Sequence, residues 1–409
     1  MLLSICLATF ISFSHCAPVY NSSGSVQSLA WNMPYINYKP SGVLLESDAV
    51  YDYLDSLAVF IQLANCNTDE FQQVYKNCYF FPANLSSSEC GSVELVRFLR
   101  PRARDSILDI EKIPFLRTSS QAGIFLDHNA KRIVIAIRSD VNMIDHLPFM
   151  ADDKAVYSPL IYNSKFWKSV FVNSTIISAL GKQTAEQFYD SKKNKAKLRT
   201  KTSWGKPIFK VHAGFQDLSN RYFEDLFAEV VLLTKQYKNY HLVLTGHSVG
   251  GAVASMLSLT LLDIGFNNTL VTFNSPKPWS QKLADHYDSI SFTKRLHSRV
   301  ILREQDALVD TERGHLRVWN SHDGFTGFPA NTVIDGIGMF NGYKHSGLSI
   351  VTPQRKLVVN HEHPTFYLES EWRVSSILRN SRVDIGITAS FEPHNFILRD
   401  LLACTKLHK

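Results

Sequence analysis

A glycine-flanked serine lies near the middle of the chain, in the segment Gly246-His247-Ser248-Val249-Gly250. A short apolar run, residues 242–244, precedes it, and a stretch rich in small and apolar residues, 252–265, follows. A strand, a sharp turn and a helix in that order hold a serine hydroxyl above the edge of a sheet, where it can attack a carbonyl carbon. We therefore predict that Ser248 is a catalytic nucleophile rather than a structural turn residue.

The chemistry of a serine nucleophile requires further groups. A hydroxyl attacks poorly until a base takes its proton, and a histidine base needs an acid to orient it. When the serine lies on such a strand-turn-helix element, the acid and then the histidine follow it along the chain. Several of each lie downstream of Ser248, and spacing alone does not choose among them. The backbone N–H of Val249, the next residue, is expected to bind the oxyanion that forms during attack.

Strands and helices alternate around this serine. Residues 123–126 and 133–137 are predicted strands, the second apolar throughout as a buried central strand is. Helices are predicted from Ser47 and Asp48 to about residue 66, and over 219–235. The pattern predicts an α/β fold with a mostly parallel central sheet and helices on both faces.

The first 16 residues are predicted to be a cleaved secretory signal because they form an apolar run too short to span a bilayer and end in small residues. An uncleaved anchor is the alternative, since no basic residue precedes the run. Residues 17–45 are predicted to be a surface tail, and residues 46–409 a single domain with an insertion over 153–206. The net charge of +6 is expected to be solvated surface, with attraction to anionic interfaces as the alternative, and no nucleic-acid partner is predicted.

Cysteines and glycosylation motifs agree with secretion. Removal of residues 1–16 leaves four cysteines, an even number that is compatible with two disulfides. They are Cys66, Cys78, Cys90 and Cys404. Four Asn-x-Ser/Thr motifs predict glycosylation, at Asn21, Asn84, Asn173 and Asn267. We predict a secreted protein, with the cell wall or a vacuole as alternative final locations.

Four motifs in order resemble the class 3 lipase family, whose members include fungal triacylglycerol lipases and feruloyl esterases. They are VHAGF at residues 211–215, GHSVGG at 246–251, VTFNSPK at 271–277 and GYKHSG at 342–347. The resemblance runs from the helix that ends at Cys66 to Cys404, apart from the insertion. It implies an α/β-hydrolase fold and a carboxylic ester hydrolase that needs no metal and no cofactor.

The resemblance also implies an acid and a base. Residues 299–309 resemble the strand that leads to the family's acid, and they place Asp306 at that position; Glu304 and Asp310 are the alternatives. Residues 362–367 resemble the segment that carries the family's histidine, which makes His363 the predicted base. His361 is its close competitor, whereas His345 is expected to pack structurally.

A second oxyanion donor and a lid follow from the same resemblance. Asp140 occupies the position of the second donor, although the sequence has Ser139-Asp140 where the family has Gly-Ser or Gly-Thr. The next stretch resembles the family's lid, whose apolar face covers the site in water and opens on lipid; core packing is the alternative interpretation of its pattern. Its apolar residues are Met143, Ile144, Leu147, Phe149 and Met150.

The disulfide pairing is implied by the family alone. Its members link a cysteine at the end of the first long helix to one near the C-terminus, which corresponds to Cys66 with Cys404. Cys78 and Cys90 then remain as the second pair.

Together these features predict a secreted, monomeric lipase that acts on triacylglycerol through an acyl-enzyme on Ser248. Its expected partners are a lipid or ester substrate and, transiently, a lipid surface. Phospholipase A1 and feruloyl or aryl esterase are the alternatives within the same class. A lipid-binding protein that has lost turnover is the alternative from another class, because Ser139-Asp140 departs from the family pattern.

Overall fold

The computed structural model describes residues 42–66, 92–102, 120–138, 154–190, 209–353 and 365–369, with short gaps in 154–190 and 301–344, together with residues 394, 395, 397, 398 and 401. All of these residues belong to one compact unit, Tyr38–Lys409. The predicted signal at 1–16 lies outside the described residues. Among the helices of the described part, none is both long and apolar enough to cross a membrane.

Fifteen strands are described. In chain order they are β1 (Val43–Leu45), β2 (Val93–Leu99), β3 (Ala122–Asp127), β4 (Arg132–Ile137), β5 (Lys154–Val156), β6 (Lys210–His212), β7 (His241–His247), β8 (Thr269–Phe273), β9 (Trp279–Ser280), β10 (Gly314–Asn320), β11 (Val333–Ile334), β12 (Met339–Phe340), β13 (Tyr343–Lys344), β14 (Leu348–Thr352) and β15 (Phe366–Leu368).

The principal helices are α1 (Asp48–Ala64), α2 (Ser164–Val172), α3 (Ser174–Leu180), α4 (Ala213–Gln236), α5 (Val249–Asp263), α6 (Gln281–Ile290) and α7 (Thr293–Ile301). Short 3-10 turns lie at Leu160–Tyr162, Gln305–Leu308 and Gly324–Gly327.

A nine-stranded sheet forms the centre of the fold, in the order β1-β15-β14-β10-β8-β7-β4-β3-β2. The five middle strands, β14, β10, β8, β7 and β4, run parallel. The strands on either side of them pair antiparallel. The predicted parallel sheet is therefore present in the middle and bounded by antiparallel strands. A four-stranded sheet, β13-β9-β6-β5, and the pair β11-β12 are separate from it.

Alternate residues of the middle strands enter two different cores, because successive side chains of a strand point to opposite faces. In β4, Ile133, Ile135 and Ile137 pack with helices α4 and α5. Val134 and Ala136 pack on the opposite face with helix α1. Burial on both sides explains why this strand is apolar throughout, and it confirms the prediction of helices on both faces.

Helix α1 begins where the sequence predicts it. The hydroxyl of Ser47, the N-cap, accepts a hydrogen bond from the backbone N–H of Val50 at 3.3 Å. Leu54, Leu57 and Ile61 are completely buried against the sheet. The residues just before the helix differ from the prediction. Val43–Leu45 is not surface tail but an edge strand, antiparallel to β15.

The segment predicted to be an insertion contributes to the core. Within residues 154–190, helices α2 and α3 follow one another, and Asn173 caps the second by accepting from the N–H groups of Thr175 and Ile176. Phe166 and Trp167 of α2 are buried and pack on Phe227 of helix α4. This part of the segment therefore packs on one face of the fold as part of its core.

Candidate active site

The serine lies on a sharp turn between strand β7 and helix α5, as predicted. Ser248 has φ 53° and ψ −130°, a conformation that L-residues rarely adopt, and it immediately precedes α5. A Cβ on Gly246 would lie 2.5 Å from the carbonyl oxygen of Gly250, and one on Gly250 would lie 2.8 Å from that of Arg138. Real Cβ atoms do not approach that closely, so only glycine fits at either position.

The turn is held in place by neighbouring strands. The backbone N–H of Ser248 donates to the carbonyl of Phe273, the last residue of β8, at 2.9 Å. Strand β4 ends beside Gly250, where the carbonyls of Ile137 and Arg138 leave no room for a side chain. The hydroxyl of Ser248 is thus fixed at the carboxyl ends of parallel strands, the edge at which α/β sheets bind ligands.

The side chain beside Ser248 is His394. Its Nε2 atom lies 2.8 Å from the Oγ atom of Ser248. On the opposite side of the ring, Nδ1 lies 2.8 Å from Oδ2 of Asp323. A carboxylate only accepts, so Nδ1 carries the proton, and in a neutral imidazole Nε2 is then free to accept from the serine hydroxyl. The three groups are therefore aligned for transfer of the serine proton to the imidazole.

Asp323 is held by the loop that follows strand β10. Its side chain is fully buried, and its Oδ1 atom accepts from the backbone N–H of Phe325 at 2.8 Å. A buried carboxylate is costly unless hydrogen bonds satisfy its oxygens, and here the backbone and the imidazole do so. The carboxylate holds the imidazole in this orientation and stabilises the imidazolium that forms when His394 takes the serine proton.

The structure corrects the predicted acid. Asp306 lies in the 3-10 turn Gln305–Leu308, and its Oδ1 atom accepts from the hydroxyl of Ser47 at 2.5 Å. The segment 299–309, predicted to contain a strand leading to it, instead comprises the end of helix α7, Thr293–Ile301, and this 3-10 turn. The carboxylate next to His394 belongs instead to Asp323. Asp323 follows strand β10, which is the strand that precedes the acid in this chain. Of the alternatives, Glu304 pairs with Arg299 at 2.8 Å, and Asp310 lies outside the described residues.

The predicted base, His363, and its competitor His361 lie outside the described residues. The residues directly after His363 include β15, which pairs with β1 at one side of the sheet. The imidazole that the structure brings to Ser248 is that of His394. His345 is half-buried, and its Nε2 atom donates to the carbonyl of Thr326 at 2.8 Å, in agreement with the predicted structural role.

Asp323 and His394 were missed for identifiable reasons. The alternating pattern of residues 314–320 predicts a half-buried strand, and Asp323 follows it in the order serine, acid, histidine. Glu392-Pro393-His394 precedes Phe396 and Ile397, so it shares an acidic residue, a histidine and nearby apolar residues with the segment at 362–367. Two similar segments compete, and the pattern does not separate them.

One of the two predicted oxyanion donors, Val249, lies among the described residues. Val249 is the first residue of helix α5, and the first N–H groups of a helix have no acceptor within the helix. Asp140 lies outside the described residues, as do the predicted lid residues Met143, Ile144, Leu147, Phe149 and Met150. Arg138, two residues before Asp140, lies against the serine turn.

Some of the predicted disulfide and glycosylation sites lie among the described residues. Cys66 is disulfide-bonded, while Cys78, Cys90 and Cys404 lie outside the described residues. Asn173 and Asn267 are exposed, as a glycan requires, whereas Asn21 and Asn84 are not described. Among the described residues, no group of three histidine, cysteine or acidic side chains could hold a metal ion.

A serine, a histidine and a buried carboxylate at the carboxyl edge of this sheet define a site of the α/β-hydrolase type. Residues 176–331 match the family model for lipase (class 3). Nonglycosylated Yarrowia lipolytica LIP2 lipase superposes with a TM-score of 0.54 at 15% identity, covering 88% of this chain and 98% of that one. The predicted α/β-hydrolase fold is thereby confirmed, and the predicted resemblance to the class 3 lipase family is confirmed over residues 176–331.

Sequence relatives align over shorter stretches. Lipase A of Sodiomyces alcalophilus is 32% identical over 115 residues, which are 28% of this chain and 26% of that protein. Secreted mono- and diacylglycerol lipase 2 of Gibberella zeae is 32% identical over 84 residues, 20% of this chain and 21% of its own. The aligned segments thus span about a fifth to a quarter of these relatives.

Proposed function

We propose that this protein is a lipase that hydrolyses carboxylic esters of lipids through an acyl-enzyme on Ser248. The observation that carries the proposal is the alignment of Ser248, His394 and Asp323, with 2.8 Å between neighbouring groups on each side of the imidazole. A geometry of this kind is recognised by the roles of its groups and not by their positions in a chain.

In the first step the Oγ atom of Ser248 attacks the ester carbonyl carbon while Nε2 of His394 takes its proton. The charge on the carbonyl oxygen is stabilised by the backbone N–H of Val249 and, we propose, by that of Asp140 on the neighbouring loop. Loss of one such donor costs about 3 kcal/mol of transition-state stabilisation. The imidazolium is held and stabilised by Asp323.

Collapse of the tetrahedral intermediate breaks the bond to the alcohol, which leaves with the proton from His394. A water molecule then attacks the acyl-serine ester, with His394 again as the base, and the fatty acid is released. The reaction needs no metal and no cofactor, because each proton moves between Ser248, His394, the alcohol and water.

Triacylglycerol is the substrate class that we propose first. The apolar residues Met143, Ile144, Leu147, Phe149 and Met150 suit a lid that opens on a lipid surface, where the exposed apolar area costs less than in water. A relative is named a mono- and diacylglycerol lipase, so partial glycerides belong to the same proposal. Phospholipase A1 and aryl esterase activities are outcomes that a substrate panel distinguishes.

We also propose that the protein is secreted, through cleavage of residues 1–16, and that Cys66 pairs with Cys404. The side-chain amide of Asn65 donates to the carbonyl of Leu401 at 2.7 Å, which brings the C-terminal segment beside Cys66. The exposed Asn173 and Asn267 are the sites at which we propose glycans.

The experiment compares wild type with Ser248→Ala on emulsified triolein, soluble tributyrin, a phospholipid and a p-nitrophenyl ester. We expect hydrolysis of triolein and tributyrin by wild type, and loss of all hydrolysis in the variant at unchanged thermal stability. Undiminished hydrolysis by Ser248→Ala would refute the proposal. A folded wild type that hydrolyses none of these esters would favour the lipid-binding alternative.

A further inference from the structure

The backbone carbonyl of His394 accepts two hydrogen bonds from buried side chains. Nε2 of His247 lies 2.7 Å from this oxygen, and Nδ2 of Asn274 also lies 2.7 Å from it. His247 is 1% exposed and Asn274 is completely buried, so water does not compete for these contacts. A carbonyl oxygen has two lone pairs, and both are therefore used here by protein donors.

Asn274 connects three parts of the site. It follows Phe273, whose carbonyl holds the backbone N–H of Ser248. Its Oδ1 atom accepts from the backbone N–H of Asn320, three residues before Asp323, at 2.9 Å. Its Nδ2 atom donates to His394. Because one end of the amide faces an N–H and the other a carbonyl, the hydrogen-bond network fixes which end is oxygen and which is nitrogen.

The backbone of Asn274 is left-handed, with φ 47°. Glycine adopts this conformation at little cost, and asparagine tolerates it better than most other residues. Backbone geometry alone would therefore favour glycine at this position. The side chain that is present instead supplies a bond to the loop of the acid and a bond to the histidine.

His247 acts on the same carbonyl from the residue before the nucleophile. Burial and the neighbouring His394 hold the pKa of His247 well below its usual value, so its ring is neutral. A neutral ring that donates from Nε2 has an unprotonated Nδ1, and this atom has no hydrogen-bond partner among the described residues. The ring of His247 also packs on that of His394, with 4.8 Å between the ring centroids.

We propose that Asn274 and His247 are positioning residues. Their hydrogen bonds to the backbone carbonyl of His394 fix its main chain and so orient its imidazole toward Ser248. The inference rests on the proposed function, since it concerns the delivery of the same base. Bonds to Ser248 and Asp323 orient the ring, while the two bonds at the carbonyl fix the backbone from which the ring projects. A displacement of a reacting group by about 1 Å can lower a rate about a hundredfold.

The test uses two variants of Asn274. Asn274→Gly removes the side chain but suits the left-handed backbone, so the fold is expected to be retained. Asn274→Asp keeps an acceptor for Asn320 and loses the donor to His394. We expect kcat on a p-nitrophenyl ester to fall about ten- to hundredfold in both, with KM within about twofold of wild type.

A conservative pair tests His247. Glutamine carries an amide nitrogen at nearly the position of Nε2, so His247→Gln is expected to keep most of the activity, whereas His247→Leu is expected to lose about tenfold in kcat. Asn268→Ala is the matched control. Asn268 is a buried asparagine just before β8, and its side chain bonds to Ser258 and Phe266, so its loss is expected to lower thermal stability but not kcat.

A readout independent of turnover is the downfield NMR resonance of the Nδ1 proton between His394 and Asp323. We expect Asn274→Gly to shift or broaden it and Asn268→Ala to leave it unchanged. Wild-type kcat together with an unchanged resonance in Asn274→Gly would refute the proposal that Asn274 positions His394, and the proposed function would still stand. A wild type that hydrolyses no ester would instead refute the proposed function, and with it the proposal that Asn274 and His247 assist catalysis by positioning His394.

Discussion

Nε2 of His394 lies 2.8 Å from Oγ of Ser248, although 146 positions separate the two residues in the chain. Ser248 is placed by a strand and a helix that follow one another directly. His394 belongs to the C-terminal part of the chain, which returns to the middle of the sheet. The site therefore forms only when these two distant parts of the chain come together. The roles of Ser248 and His394 can be tested separately.

The base is tested by comparing two histidines. We expect His394→Ala to lower kcat at least about ten-thousandfold, because the serine loses the group that takes its proton. The matched variant His363→Ala removes the histidine that the sequence pattern favours and is expected to retain activity near that of wild type. Ester hydrolysis, measured together with thermal unfolding, separates the two; full loss in His363→Ala with an active His394→Ala would contradict the structure.

The acid is tested by a pair of amide substitutions. Asp323→Asn keeps the shape but favours the wrong tautomer of His394, so kcat is expected to fall about ten-thousandfold. Asp306→Asn weakens only the hydrogen bond to Ser47, a loss of about 1 kcal/mol in the free energy of unfolding. Steady-state kinetics and denaturant melts of both variants check this assignment. Equal losses of activity in the two would count against it.

The sequence was sufficient for the serine and its surroundings because they are contiguous. Strand β7, the two glycines and helix α5 lie within one short stretch, and their local constraints can be read residue by residue. The end of helix α7 was misjudged because residues 299–309 have apolar residues that suit a strand until packing is known. The choice between His363 and His394 depends on contacts distant in sequence, which no local pattern encodes.

The glycines of the serine turn give a prediction about folding. Gly250→Ala places a Cβ against the carbonyls of Ile137 and Arg138, which lie at the end of a central strand and cannot move freely. We expect little soluble protein, or unfolding at a much lower temperature. Gly314→Ala is the comparison, because its Cβ would meet the flexible end of Leu296 at 3.1 Å and is expected to be tolerated. Similar thermal stability of the two variants would argue against a rigid turn.

Buried histidines predict a loss of stability in acid. Burial lowers the pKa of His315 to about 3 and holds the pKa of His345 and of His247 well below the usual 6.5. Below pH 6.5 these histidines take up protons in the unfolded chain but not in the folded one. The free energy of unfolding therefore falls as the pH drops from about 6.5 toward 3, by up to about 1.4 kcal/mol per pH unit for each histidine.

The variant His345→Gln isolates one of these groups. Its amide can still donate to the carbonyl of Thr326 but does not titrate. We expect its denaturant melts to show a smaller decrease in stability between pH 6.5 and pH 4 than those of wild type. The same decrease in both proteins would mean that His345 titrates alike in the folded and unfolded states.

The most direct test of the central claim is labelling by a fluorophosphonate, which reacts with a serine only when a base activates it. The purified protein is incubated with the probe, and the modified residue is located by mass spectrometry. We predict one adduct, on Ser248 in wild type and in His363→Ala, and none in His394→Ala. An unlabelled, folded wild type, or labelling of Ser248 that persists at the wild-type rate without His394, would contradict the account.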